Sequence, residues 1–211
     1  MPLIASSPDT DSTPVDARLS VAEAMPLLDA PDAAIRRRAA LALDGCAEAH
    51  LSMAERLLEE TDAAVRSALL SGLSDTENPE VVDLLITILR GEDASQRSEV
   101  VGLLQHRGAL VASRIKDMLV DDDPDLRIMA IDILRLLPHE DAPIWLRDHL
   151  ERETHPNVVG VAVDRLAEIG SAADLPVLRD VAQRFAADPY LSFATDLVIK
   201  RIETLSAEGS G

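Results

Sequence analysis

Aliphatic residues recur along most of the chain at spacings of three and four, the helical period and not the alternation expected of strands. Between residues 79 and 90, for example, Val81, Leu84, Leu85 and Ile88 fall on one helix face. Six stretches of this kind, 21–28, 51–60, 79–90, 110–120, 143–152 and 175–185, predict one set of helices. A second set opens at polar residues: Asp32, Asp62, Asp93, Asp123, His155 and Asp188. The two sets alternate, so the pattern predicts twelve helices in six antiparallel pairs. The breaks agree with it. Pro31, Pro79, Pro124, Pro156 and Pro189 lie at or near first helical turns, where a missing N–H costs nothing. Asn78, Asp123 and Asp188 each precede one of these prolines as cap residues, and Ser20 with Glu23 forms a capping box.

The second set is a repeat. Its first four members read Asp, two residues, usually an aliphatic, then Arg, with Arg36, Arg66, Arg97 and Arg127 separated by 30, 31 and 30 residues. Two weaker copies follow, in which Val159 and Ser192 replace the arginine at separations of 32 and 33. Six units of about 31 residues therefore make one repetitive domain, expected over residues 18–205. Residues 1–17, rich in Ser, Pro, Asp and Thr, are expected as a disordered tail, and 206–211 as a polar one. A single pair cannot cover its own apolar stripe, whereas stacking the next pair covers it. Leu43, Leu73, Leu104, Leu134 and Leu166 recur as one row of that core, and Ala39, Ala130 and Ala162 allow close helix approach.

These motifs resemble HEAT repeats, and more narrowly the short HEAT-like repeats named after phycobilisome bilin lyases. The likeness covers about residues 20–205 and implies an all-α fold, an α-α superhelix (HEAT-like solenoid) of about six antiparallel helix pairs. It says little about activity, since the repeat serves adaptors, assembly factors, bilin lyases, an iron-dependent hydroxylase and DNA alkylpurine glycosylases. The eight recurring polar residues, Asp32, Arg36, Asp62, Arg66, Asp93, Arg97, Asp123 and Arg127, read as a structural ladder: the acid caps its helix, and the arginine reaches the acid of its own or an adjacent repeat.

Composition narrows the function. The net charge is −18, which opposes a non-specific grip on nucleic acid or an anionic membrane and favours basic partners. Only two of the twenty basic residues, Lys116 and Lys200, are lysines. The single cysteine, Cys46, cannot build a disulfide framework and reads as a half-buried structural residue. No apolar stretch is long enough to cross a bilayer, and the first residues carry no signal-peptide pattern, so a bacterial cytoplasmic setting is expected. A di-iron hydroxylase would need several His-Glu pairs where only His139-Glu140 is present. His139, Glu140, Asp141, His149, Glu151 and His155 show no ligand spacing on one helix face and are expected as solvated loop and cap residues. A glycosylase would need basic and aromatic residues interleaved, whereas the one basic run is Arg36-Arg37-Arg38 and the aromatics lie towards the other end.

No catalytic residue, metal ligand or cofactor is therefore assigned. The expected function is a non-catalytic scaffold, adaptor or assembly factor that holds a protein, by a basic or helical segment, on the concave face lined by the second helices. Residues expected on that face are Arg37, Arg38, Ser67, Ser71, Ser98, Glu99, Ile128, Met129, Asp132 and Asp164. The alternative implied by the resemblance is a bilin-lyase-like maturation factor handling a cofactor or pigment. The sequence leaves the oligomeric state open.

Overall fold

The helices begin where local chemistry starts them. Asp32, Asp62, Asp93 and Asp123 each sit in extended backbone and accept N–H bonds from the first turn of the helix that follows: Ala34 from Asp32, Ala64 and Val65 from Asp62, Ser95 and Gln96 from Asp93, and Asp125 from Asp123. Each cap is worth ~1 kcal/mol. Asn78 and Asp188 do the same ahead of Pro79 and Pro189. His155 provides no side-chain cap, and the carboxylate of Glu153 takes the N–H groups of Thr154 and His155 instead.

The computed structural model describes residues 19–137 and 139–208 and divides into two compact units, Met1–Leu73 and Ser74–Gly211. Among the described residues it is all-helical. The first unit holds α1 (Val21–Ala24), α2 (Ala33–Ala42), α3 (His50–Glu59) and α4 (Ala63–Gly72). The second holds α5 (Pro79–Leu89), α6 (Ala94–Leu104), α7 (Gly108–Met118), α8 (Pro124–Leu134), α9 (Ala142–Leu150), α10 (Pro156–Ile169), α11 (Leu175–Arg184) and α12 (Pro189–Glu208). The expected tail 1–17 and residues 209–211 lie outside the described residues, and α12 runs three residues past the expected boundary at 205.

The first predicted helix does not form in one piece. After α1 the chain tightens into a 3-10 turn over Met25–Asp29. Pro26 is the cause: it has no N–H to give, and its ring crowds the carbonyl four residues back. A second 3-10 turn, Ala47–Ala49, separates the half-buried Cys46 from His50, the first residue of α3. Gly45 precedes it at φ +73°, a left-handed turn open to glycine at no steric cost.

Within each unit the second helices pack on one another, α2 on α4 in the first, and α6 on α8, α8 on α10 and α10 on α12 in the second. The core is aliphatic. Leu43, Leu73, Leu104, Leu134 and Leu166 are all buried, and so are Ala39, Ala130 and Ala162. A buried leucine stabilises by about 1.5–3 kcal/mol, so the row alone is a large contribution. Gly170 ends α10 beneath α12, where a Cβ would run into the Leu166 carbonyl and Ile202 Cδ1. Trp145, the single tryptophan, is buried on α9, with its ring 4.4 Å from that of His139 and the Lys116 ammonium 5.0 Å from its centroid. No helix among the described residues is long and apolar enough to cross a membrane.

Candidate partner-binding groove

The recurring arginines turn inward, but not to the recurring aspartates. Arg36 forms a two-pronged pair with Glu60 at the end of α3, with Nε 2.7 Å and Nη2 2.8 Å from the carboxylate oxygens. Its remaining nitrogen donates to the carbonyls of Ala30 and Pro31. Arg127 repeats the construction with Glu153 beyond the end of α9 and with the carbonyls of Asp121 and Asp122. Arg66 is buried and donates to the Thr61 carbonyl at 2.9 Å. The expected Asp-to-Arg ladder is thus corrected at Arg36 and Arg127. Asp32 and Asp123 spend their oxygens on helix N–H groups, and an acid at the end of the next first helix meets the guanidinium.

The pairs set the local electrostatics. The Arg36 guanidinium, helped by the Asp62 N–H, holds the buried Glu60 carboxyl down to about 2 against the cost of its burial. Burial pushes Glu153 up, but Arg127 and the His155 N–H outweigh it and hold the carboxyl below its ordinary value. His149 is also part of this cluster, with Nε2 3.3 Å from Glu153. It was expected in solvent, yet it is 4% exposed, and burial lowers its pKa against the pull of Glu153. The reason is spacing: Ala142, Trp145, Leu146 and His149 share the inward face of α9.

Arg97 differs. Its contact to Asp125 is loose, at 3.8 Å, and the guanidinium stands at the rim of a groove between α6 and α8. This groove has a volume of about 650 Å³. Ala94, Ser98 and Gly102 line its α6 side at four-residue spacing, and a Cβ on Gly102 would meet nothing within 4 Å. Small side chains therefore make the space. Ile128 and Met129 supply apolar surface on the α8 side, with Asp132 and Arg135 beyond them. Gln105 donates to the Asp132 carbonyl at 2.8 Å and fixes that end. Burial raises the pKa of the Asp132 carboxyl, and Arg135 opposes the shift.

Of the ten residues expected to face a partner, the groove brings together Ser98, Ile128, Met129 and Asp132. Glu99 is exposed on α6 and accepts from the Ser95 hydroxyl, and Asp164 is exposed on α10; neither lines the groove. Arg37 and Arg38 on α2, and Ser67 and Ser71 on α4, are exposed in the first unit. Sequence reasoning missed Arg97, Gln105, Asp125 and Arg135 as groove residues. Gln105 carried a signal, a buried polar residue directly after the core Leu104. Among the described residues, no group of three or more His, Cys, Asp or Glu is placed to hold a metal.

Residues 21–105 and 112–189 match the family model for HEAT repeats. The chain belongs to the HEAT-repeat family. None of the curated proteins matches it. Among solved structures it is similar to the archaeal HEAT-like repeats protein from Thermococcus onnurineus NA1, with 15% identity, a TM-score of 0.47 and 87% of each chain covered. It is also similar to an engineered protein, with 17% identity and a TM-score of 0.40, over 87% of this chain and 96% of that one. In HEAT-repeat terms, α6 and α8 are the second helices of consecutive repeats, and the groove is the space between them.

Proposed function

We propose that this HEAT-repeat protein is a non-catalytic cytoplasmic scaffold or assembly factor that seats a protein partner in the α6–α8 groove. The observation that carries the reading is the groove's lining: an apolar floor of Ile128 and Met129 between small residues on one side and charged residues at both ends. Such a surface suits a helix or extended segment that offers one apolar side chain to the floor. A basic side chain beside it would meet the half-buried Asp132, and the net charge of −18 draws basic segments in from a distance. Met129 adds an adaptable contact.

A photo-reactive residue placed at Ser98 in the native host tests this. One discrete protein adduct is expected at Ser98, none from the same residue placed at Thr87 on α5, and loss of the adduct when Gly102→Phe fills the groove. Equal adducts at both positions, or an adduct indifferent to Gly102→Phe, would sink the reading. A phycobilisome-lyase-type role predicts instead that the purified protein takes up free bilin in stoichiometric amount; a colourless protein is expected here.

A further inference from the structure

The last described helix, α12, packs on α10 and α11 through Leu191, Thr195, Val198 and Ile202, all buried. Its opposite face carries large apolar side chains. Tyr190, Phe193 and Leu197 stand 62%, 70% and 58% exposed. Spacings of three and four put them on one side of the helix, so they form a continuous stripe. Two of the chain's four aromatic side chains are therefore on the surface of one helix. Exposed apolar surface that is contiguous and aromatic marks an interaction face.

The charges along the stripe say what covers it. At 100° per residue, Arg201 and Thr204 continue the line of Tyr190 and Leu197, and Asp196 and Lys200 run along one flank of it. Asp196, Lys200 and Arg201 are exposed, whereas Glu203 is engaged by Arg179 at 2.7 Å. The acid lies towards the helix start and the two bases towards its end, so the stripe complements its own reversed copy. Two α12 helices laid antiparallel about an axis at Leu197 put Phe193 of each against Arg201 of the other, a cation–π arrangement, and Tyr190 against Thr204. Asp196 of each copy then lies within about 3 Å along the axis of Lys200 of the other. A parallel two-fold pair would instead put the Asp196 and Lys200 flanks of the two copies on opposite edges of the contact, with no reciprocal ion pairs. We infer that this protein pairs with a second copy of itself through α12, as a two-fold antiparallel dimer. The stripe from Tyr190 to Thr204 is about 21 Å long, which places the contact among small, reversible interfaces. The inference is independent of the α6–α8 groove.

Sedimentation of the full chain across a concentration series tests it. A monomer–dimer equilibrium is expected, weakened by about ten-fold or more in Phe193→Asp. The helical signal and melting of that variant should match the parent, because the side chain is exposed. Asp196→Lys and Lys200→Asp should each weaken pairing, and an equimolar mixture of these two variants should recover it, since both reciprocal ion pairs then reform between unlike copies. Four results would each overturn the inference: a monomer at every concentration, a dimer indifferent to Phe193→Asp, a mixture no tighter than its components, or open-ended growth.

Discussion

The first and second units contain the same device, and it differs in one member. In the first, Glu60 is held by Arg36 and flanked four residues earlier by Arg56, 3.3 Å away. In the second, Glu153 is held by Arg127 and flanked four residues earlier by His149, also 3.3 Å away. One buried carboxylate therefore has a permanent cation beside it, and the other has a histidine whose charged form burial disfavours. A third arginine of the series, Arg97, makes instead the loose contact to Asp125 at 3.8 Å, and Asp121 pairs with Arg90 at 2.5 Å. The groove opens at that repeat.

The largest effect should come from breaking the closed devices. Arg127→Ala takes the two-pronged partner from a buried carboxylate and is expected to cost about 3–5 kcal/mol in urea unfolding, and Arg36→Ala should cost less, because Arg56 stays beside Glu60. A cost under about 1 kcal/mol would mean that the pairs are ornamental. The two units should then separate by pH. Glu60 is held at about 2, below the range of an unfolded glutamate, so its contribution is complete above about pH 4.3 and is lost as the pH falls towards and through 2. Glu60→Gln should flatten the acid limb of the stability curve. His149 is depressed by burial, so the fold favours its neutral form, and that contribution begins to fade once the pH drops below about 6.5. His149→Gln should remove the slope that sets in below about pH 6.5 and leave the Glu60 limb intact; an unchanged slope there would end the distinction. The smallest effect is expected for Arg97→Ala, under about 1 kcal/mol in stability, since its contact is long and partly solvated. Its expected consequence is instead a changed yield of the Ser98 adduct.

The repeat was legible because its signals are local. An aspartate cap acts on N–H groups two and three residues away, so Asp32, Asp62, Asp93 and Asp123 announce their helices within a single turn. The arginines' partners were not legible, because Glu60 and Glu153 lie 24 and 26 residues further on and nothing nearby marks them. His149 is legible by position, since it continues the apolar spacing of α9, but its polar side chain points to solvent by type. Register along α6 and α8 located Ser98, Ile128, Met129 and Asp132, whereas Gln105 and Arg135 enter the groove only through how one helix packs on the next. The break at Pro26 was in plain view, and the apolar spacing across 21–28 concealed it.

The aromatic side chains are all in the second unit: Trp145, Phe185, Tyr190 and Phe193. Intrinsic fluorescence and near-ultraviolet dichroism are therefore blind to the first unit. The emission of Trp145 reports the seam where α9 meets Lys116 of α7 and the ring of His139. An Arg36→Ala protein could lose its first unit while its emission spectrum stayed as before, with the loss visible only in the far-ultraviolet helix signal.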